Sequence, residues 1–202
     1  MITSYEALDL GRFMKIDHIL HTPAEDIDKQ VQIVAILADM TEAEVLSLPL
    51  SDYSAMAAKI GFLGTLCAPA DVDGSAITAG EFTLIPVRDF TKINTAQYVD
   101  FQTLITAGAD IPQLLSCFLV PEGRQYNEGY DIGAVQEAVL SLPLATAIGL
   151  TAFFFSSFSA SIRDTLGSLE LKTKDPKTRA EIVKIGMRAE TVLRGIGAGL
   201  PT

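Results

Sequence analysis

A run of 19 residues without a formal charge, from Leu144 to Ile162, limits what this chain can fold into more than any other feature. A stretch this long and apolar is stable either in the hydrocarbon of a bilayer or in a protein interior. Four serines crowd its second half, and Arg163 is the sole anchor of the kind that flanks membrane spans. We therefore predict a buried central helix that begins after Pro143, with a membrane span as the alternative.

Helix start signals recur along the rest of the chain. Capping-box patterns, in which a Ser, Thr or Asp is followed three residues later by Glu or Gln, begin at Thr22, Thr41 and Asp110. Further helices are predicted to begin at Ser51, at Asn94 or Thr95, and at Asp131. An amphipathic helix is predicted over 175–195, and helix is predicted throughout 95–119 apart from a break at Asp110.

Residues 68–94 have a different character, because prolines and glycines interrupt short segments rich in β-branched and aromatic residues. We predict a β-hairpin from Ala76–Thr78 and Glu81–Val87, which must pack on the helices or on a neighbouring subunit since an isolated hairpin is marginal. The predicted fold class is mainly α with a small antiparallel β-hairpin (α+β), a compact helical bundle. Its segments are 1–67, 68–94 and 95–202, within one domain overall.

Apolar residues at helical spacing give the expected core. It comprises Ile36, Leu37, Ile60, Leu63, Phe101, Leu104, Leu115, Phe118, Leu150, Phe154 and Ile162. Cys67 and Cys117 both stand in apolar helical surroundings, which predicts buried free thiols rather than a disulfide or a zinc site.

The composition argues for contact with other proteins. Apolar residues make up 49% of the chain and charged residues only 20%, a balance typical of subunits that hide surface in an oligomer. The net charge of -10 disfavours nucleic-acid binding through a basic face. Residues 1–162 carry 7 Lys and Arg against 20 Asp and Glu, whereas residues 163–202 carry 8 against 5. This asymmetry suits head-to-tail contact between identical subunits, and a solvated helix face is the alternative.

The sequence offers no catalytic set. His18 and His21 lie three residues apart without further metal ligands, and Asp71-Val72-Asp73-Gly74 lacks the remaining spacing of a calcium loop. We predict a protein that is not an enzyme and that holds no cofactor or metal. Acidic residues at Glu6 and Asp9, with no signal-peptide pattern, predict synthesis in the cytoplasm without export.

Three surfaces are candidates for subunit contact: the hairpin, the polar turn over 121–130 and the basic C-terminal helix. Tyr and Arg are enriched at interface hot spots, and the turn is dense in both. The residues are Arg124, Tyr126 and Tyr130 in the turn, Phe82 and Leu84 in the hairpin, and Arg179, Lys184 and Arg188 in the helix. An ordinary capped turn is the alternative for 121–130.

Several segments within residues 25–165 together resemble small helical proteins of tailed bacteriophages. They are Val34–Leu37, Leu48–Ser51, Gly61–Leu63, Ala96–Gln102 with the leucine-rich helix after it, Pro121–Gly123 and Tyr126–Asp131. Proteins with similar segments are encoded in virion-morphogenesis blocks and include tail assembly chaperone-like proteins and virion proteins of gut phages. The motifs are structural, so the resemblance implies a non-enzymatic role in assembly and transfers no active residue.

Three functions follow as hypotheses. The first is a virion subunit near the portal, neck or tail that forms a homo-oligomeric ring with itself and contacts other virion proteins. The second is a tail assembly chaperone that binds a tape-measure protein and is absent from the particle. The third is a small membrane protein that uses residues 144–162. For the first, a variant with Tyr126→Ala and Tyr130→Ala is expected to stay folded but to assemble poorly.

Overall fold

The uncharged run folds as the first part of one long helix, α8 (Leu144–Lys172). The computed structural model describes residues 1–172, with side chains described for residues 1–90 and 92–158. The helix predicted over 175–195 lies outside the described residues. Among residues 1–172, no helix combines the length and apolarity that crossing a bilayer requires.

Seven shorter α-helices precede α8 within the described residues. They are α1 (Leu10–Leu20), α2 (Asp26–Ala38), α3 (Glu42–Leu46), α4 (Leu50–Ala57), α5 (Thr95–Ala107), α6 (Ile111–Ser116) and α7 (Ile132–Leu140). Turns of 3-10 helix occupy Tyr5–Ala7, Ala58–Gly64 and Phe90–Lys92. Strands β1 (Ile77–Ala79), β2 (Phe82–Pro86) and β3 (Leu119–Pro121) form an antiparallel sheet in the order β1-β2-β3. The predicted fold class, mainly α with a small antiparallel β element, is confirmed.

Several predicted helix starts are found where the sequence placed them. At α3, the Thr41 hydroxyl accepts the Glu44 amide at 3.2 Å, and the Glu44 carboxylate accepts the Thr41 amide at 2.7 Å. Asn94 caps α5 through the Gln97 amide at 2.8 Å. Asp110 and Asp131 cap α6 and α7. Each cap satisfies amides that the first helical turn leaves without a partner.

Two predicted starts are wrong. Thr22 does not cap α2, because its hydroxyl donates to the Ile19 carbonyl at 2.7 Å and so completes the end of α1. Helix α2 begins at Asp26, after Glu25. Helix α4 begins at Leu50, one residue before Ser51, and narrows to 3-10 geometry after Ala57. Two glycines in that 3-10 segment weaken continued α-helix, since glycine has a low helix propensity.

An aromatic cluster on α8 forms the centre of the core. The ring of Phe154 lies 5.2 Å from that of Phe118, between centroids, and the ring of Phe158 lies 4.9 Å from that of Phe101. Phe101 and Phe118 are themselves 4.6 Å apart in an edge-to-face arrangement. Phe90, in the 3-10 turn after β2, completes the cluster. Such arrangements add attraction beyond the burial of area.

The expected core residues are largely where the sequence placed them. Leu37, Phe101, Leu115, Phe118, Leu150 and Phe154 are buried. Ile36, Ile60, Leu63 and Leu104 are partly buried and pack against the core. The side chain of Ile162 lies outside the described residues. Cys67 and Cys117 are buried free thiols, as predicted.

A short backbone ladder joins the N-terminal segment to the start of α8. The Leu10 amide donates to the Leu142 carbonyl at 2.9 Å, and the Leu144 amide donates to the Leu8 carbonyl at 2.8 Å. All four leucines are almost fully buried. Residues from all three predicted segments enter one hydrophobic core within the described chain, while the segment boundaries remain a prediction.

Gly149 lets the chain cross α8 closely. A Cβ at Gly149 would collide with the Ala70 carbonyl oxygen and lie 2.9 Å from a Val72 methyl group. The crossing is fixed by the Ala70 amide, which donates to the Ala145 carbonyl at 2.8 Å.

We predict that Gly149→Ala lowers the free energy of unfolding, measured in urea, by about 1–3 kcal/mol. The added methyl group would collide with Ala70 and Val72 where the chain crosses α8. The matched control is Gly61→Ala, where a Cβ meets nothing within 4 Å. Alanine normally favours a helix over glycine by about 1 kcal/mol, so the two variants are expected to differ in sign or clearly in size. Equal stability of both would contradict the close crossing.

Candidate interaction surface

The third strand brings the predicted hairpin and the predicted polar turn together. Strand β3 pairs with β2 so that Ile85 lies opposite Val120, and the Glu122 amide donates to the Thr83 carbonyl at 2.8 Å. The prediction of helix through residue 119 is therefore wrong, since α6 ends at Ser116 and strand follows. Two contact candidates that are far apart in sequence become one continuous surface.

The hairpin candidates face inward. Side chains alternate along β2, so that Phe82 is half-buried and Leu84 fully buried, whereas Thr83 and Ile85 lie on the outer face. Phe82 and Leu84 thus contact the core of their own chain in this structure. Ile85, which the sequence analysis did not select, is the apolar side chain of β2 that the outer face exposes. The alternation in Phe82–Val87 was the signal that identifies it.

Tyr126 is also buried, with 5% of its surface exposed. Its hydroxyl donates to the Asp100 carboxylate on α5 at 3.0 Å and lies 3.8 Å from the Cys117 sulfur. Burial raises the pKa of Tyr126 far above its usual value. Burial also raises the pKa of the Cys117 thiol, to about 11. Both groups are therefore neutral near pH 7, as their apolar surroundings require.

Gln97 completes this buried polar group. Its side-chain amide donates to the Cys117 carbonyl, and its own burial is nearly complete. Tyr126 and Gln97 thus connect the turn, helix α5 and the junction between α6 and β3. Because each partner is satisfied, the group holds these elements in a fixed geometry.

The rest of the turn folds back on itself. The half-buried Tyr130 accepts the Asn127 amide at 3.2 Å through its hydroxyl, and Asn127 has a left-handed backbone with φ 60°. Arg124 is exposed and lies against Gly129. Of the three turn candidates, Arg124 is the one fully available to a partner.

Two adjoining clefts of about 440 and 450 Å³ flank Ile85. They share a lining of Ile85, Pro86, Val87, Lys92 and Gln97, and we call the combined surface the sheet groove. Arg88 lines one cleft and Arg124 the other. The sheet groove therefore holds three of the 7 Lys and Arg residues in 1–162 and one carboxylate, Asp89, so its lining carries a net positive charge on an acidic part of the chain.

Two of these cations have intramolecular partners. The Arg88 guanidinium donates twice to the Gly74 carbonyl, at 2.9 and 2.6 Å, which fixes its position beside β2. Lys92 lies 3.0 Å from the Asp89 carboxylate, with both side chains well exposed. The sequence analysis did not select Arg88 or Lys92, although Arg88 directly follows the predicted second strand and Lys92 lies four residues further on.

The remaining candidates lie elsewhere. Arg179, Lys184 and Arg188 are outside the described residues. His18 is exposed on α1 and His21 is exposed directly after it, where His21 Nδ1 lies 2.8 Å from the Asp17 carbonyl oxygen. Within residues 1–158, no cluster of three or more His, Cys, Asp or Glu side chains has the arrangement of a metal site.

No known protein family, curated protein or solved structure matches this chain. What the sheet groove could bind is therefore inferred from the residues that line it. An exposed aliphatic side chain between cations is suited to bind an acidic protein surface that carries an apolar residue.

The burial of Tyr126 changes what its substitution reports. Tyr126→Ala removes a buried ring, so poor assembly of the double alanine variant would reflect lost stability as well as any lost contact.

We predict that Tyr126→Phe lowers the free energy of unfolding by about 1–2 kcal/mol, because Asp100 loses its donor. Tyr130→Phe is the control and is expected to change it by less than about 0.5 kcal/mol, since the Asn127 amide is exposed to water. Urea unfolding checks both, and equal losses would contradict the role given to Tyr126.

Proposed function

We propose that this chain is a non-enzymatic structural subunit of a tailed-bacteriophage particle, located near the portal, neck or tail. In this proposal it assembles with itself into a ring and contacts other virion proteins. The observation that carries the proposal is the sheet groove, where Ile85 is exposed between Arg88, Lys92 and Arg124. The phage setting is an expectation that rests on the resemblance of sequence segments within residues 25–165 to phage morphogenesis proteins.

Charge complementarity favours another copy of the chain as one partner. Residues 1–162 carry 20 Asp and Glu, so a neighbouring copy offers an acidic surface to the basic groove. A groove that meets a different surface on the next copy forms a head-to-tail contact, and such contacts generate rings when the rotation closes.

Further exposed apolar side chains support contact with more than one neighbour. Tyr98 and Val99 on α5 are 43% and 52% exposed. Scattered single apolar residues are normal on a surface. Tyr98 and Val99, however, are adjacent in sequence on a chain with few charges, which supports a subunit with a further buried face in its assembly.

The other hypotheses differ in what they require. A tail assembly chaperone would use the same groove to bind a tape-measure protein and would be missing from mature particles. A membrane protein would need residues 144–162 to face lipid, yet Leu144, Leu150 and Phe154 pack in the protein core. The described structure therefore offers support to an assembly role and none to the membrane role.

Mass spectrometry of purified particles tests the proposal. We expect the chain at a fixed copy number relative to the portal protein, retained through density-gradient purification. Its absence from particles, together with capture of a tape-measure protein from infected cells, would replace the virion role with the chaperone role.

The groove itself is tested with a charge-changing pair. We predict that Ile85→Asp with Arg124→Glu weakens self-association by about tenfold or more, because the pair removes an apolar contact and reverses a charge. The matched control, Ala43→Asp with Lys59→Glu, makes the same change in net charge at exposed positions outside the groove. Size-exclusion chromatography with light scattering measures both. Equal assembly of the two variants would move the contact away from the groove.

A further inference from the structure

A second cleft, of about 890 Å³, lies on another part of the surface, between α1, the end of the 3-10 segment Ala58–Gly64, and the starts of α6 and α8. Its lining is mainly apolar and includes Phe13, Met14, Leu63, Ile111, Leu144 and Ile148. We call it the α1–α8 cleft. A cleft of this size and apolarity suits a few side chains from one face of an amphipathic helix.

The residues at the rim of the α1–α8 cleft indicate which kind of partner would bind there. Leu20 and Leu66 line it and remain 49% and 63% exposed, so apolar surface is left uncovered. Asp17 and Asp110 also line it, together with His18 and with His21, whose Nδ1 lies 3.5 Å from the Asp17 carboxylate; among the described residues its lining includes no Lys or Arg. The cleft therefore favours an occupant that is both apolar and basic.

The chain itself contains such a segment. The sequence of 175–196 places Ile182, Ile185, Ala189, Val192 and Ile196 at helical spacing, and Arg179, Lys184 and Arg188 stand among them. Residues 175–196 carry five Lys and Arg against three Asp and Glu, a net charge of +2 in a chain whose net charge is -10. The apolar stripe of this segment matches the apolar lining of the cleft, and its basic residues match the aspartates at the rim.

Helix α8 decides which copy supplies the segment. Leu144 and Ile148, at its start, line the cleft, and its last residue, Lys172, is 28 residues from Leu144. At about 1.5 Å per residue, α8 leads the chain about 42 Å away from the start of the helix before the basic segment begins, whereas a helix over 175–196 would be only about 33 Å long. A neighbouring copy is then the more accessible partner than the same chain.

We propose that residues 175–196 of one copy bind as a helix in the α1–α8 cleft of the next copy. The inference rests on the proposed function, since it requires an assembly of identical subunits, and it names a contact which that function leaves open. The stripe from Ile182 to Ile196 covers Leu20 and Leu66, and the basic residues lie beside Asp17 and Asp110. The contact is head-to-tail, so each subunit gives its segment to one neighbour and receives one from the other.

A mixing experiment with full-length chains tests the contact, in the Ile85→Asp, Arg124→Glu background so that the sheet groove does not contribute. The cleft variant carries Leu20→Lys and Leu66→Lys, and the segment variant carries Ile185→Asp and Arg188→Glu. The matched control, Leu46→Lys with Leu50→Lys, places the same charges on exposed leucines outside the cleft. Circular dichroism and the melting temperature establish that every variant is folded.

Capture of an untagged chain by a tagged chain is the readout. We expect each of the two variants to capture itself at least tenfold less than the control captures itself. The cleft variant mixed with the segment variant is expected to recover capture, because one intact cleft then meets one intact segment. Any of three results overturns the proposal: the mixed pair does not recover capture, either variant captures itself as well as the control does, or the control captures nothing.

These outcomes are separate from failure of the proposed function. If self-capture is undiminished while the chain is present in purified particles, the virion role stands and the cleft contact is wrong. If the mixed pair recovers while particles lack the chain, the contact stands and the virion role is wrong.

Discussion

The packing of phenylalanine rings against α8 is the interaction on which the rest of the structure depends. Phe154 and Phe158 project from the uncharged first part of α8, which water cannot solvate favourably, and Phe90, Phe101 and Phe118 cover them. Each covering ring comes from a different element, so the need to bury one helix places α5, the end of α6 and the turn after β2 around it.

The sheet groove follows from that arrangement. Once the element that carries Phe118 lies on α8, the residues directly after it extend as β3 and pair with β2. The pairing turns Ile85 outward and brings Arg124 to the same surface. The buried hydroxyl of Tyr126 then attaches the turn to Asp100 on α5, so the groove is supported by the core rather than by a mobile loop.

How much the sequence could predict depended on the range of the interactions involved. Local signals were sufficient for the cap at Thr41, whose partner Glu44 is three residues away, and the lack of charge was sufficient to predict that Leu144, Leu150, Phe154 and Phe158 are buried. The third strand was missed because Leu119 and Val120 continue an apolar helical pattern, and only pairing with β2 makes them strand. Tyr126 stands in a polar segment that looks exposed, and its partner Asp100 is distant in sequence. Burial by long-range contact has no local signature.

The ladder that joins Leu8 and Leu10 to Leu142 and Leu144 has a consequence for synthesis on the ribosome. The two segments of this ladder are separated by most of the described chain. Leu8 and Leu10 therefore stay uncovered until residue 144 has been synthesised. Strand β2 likewise lacks its partner β3 until residues 119–121 have been synthesised. Completion of the core is thus a late event in translation, and the nascent chain exposes apolar surface during the interval in which chaperones act.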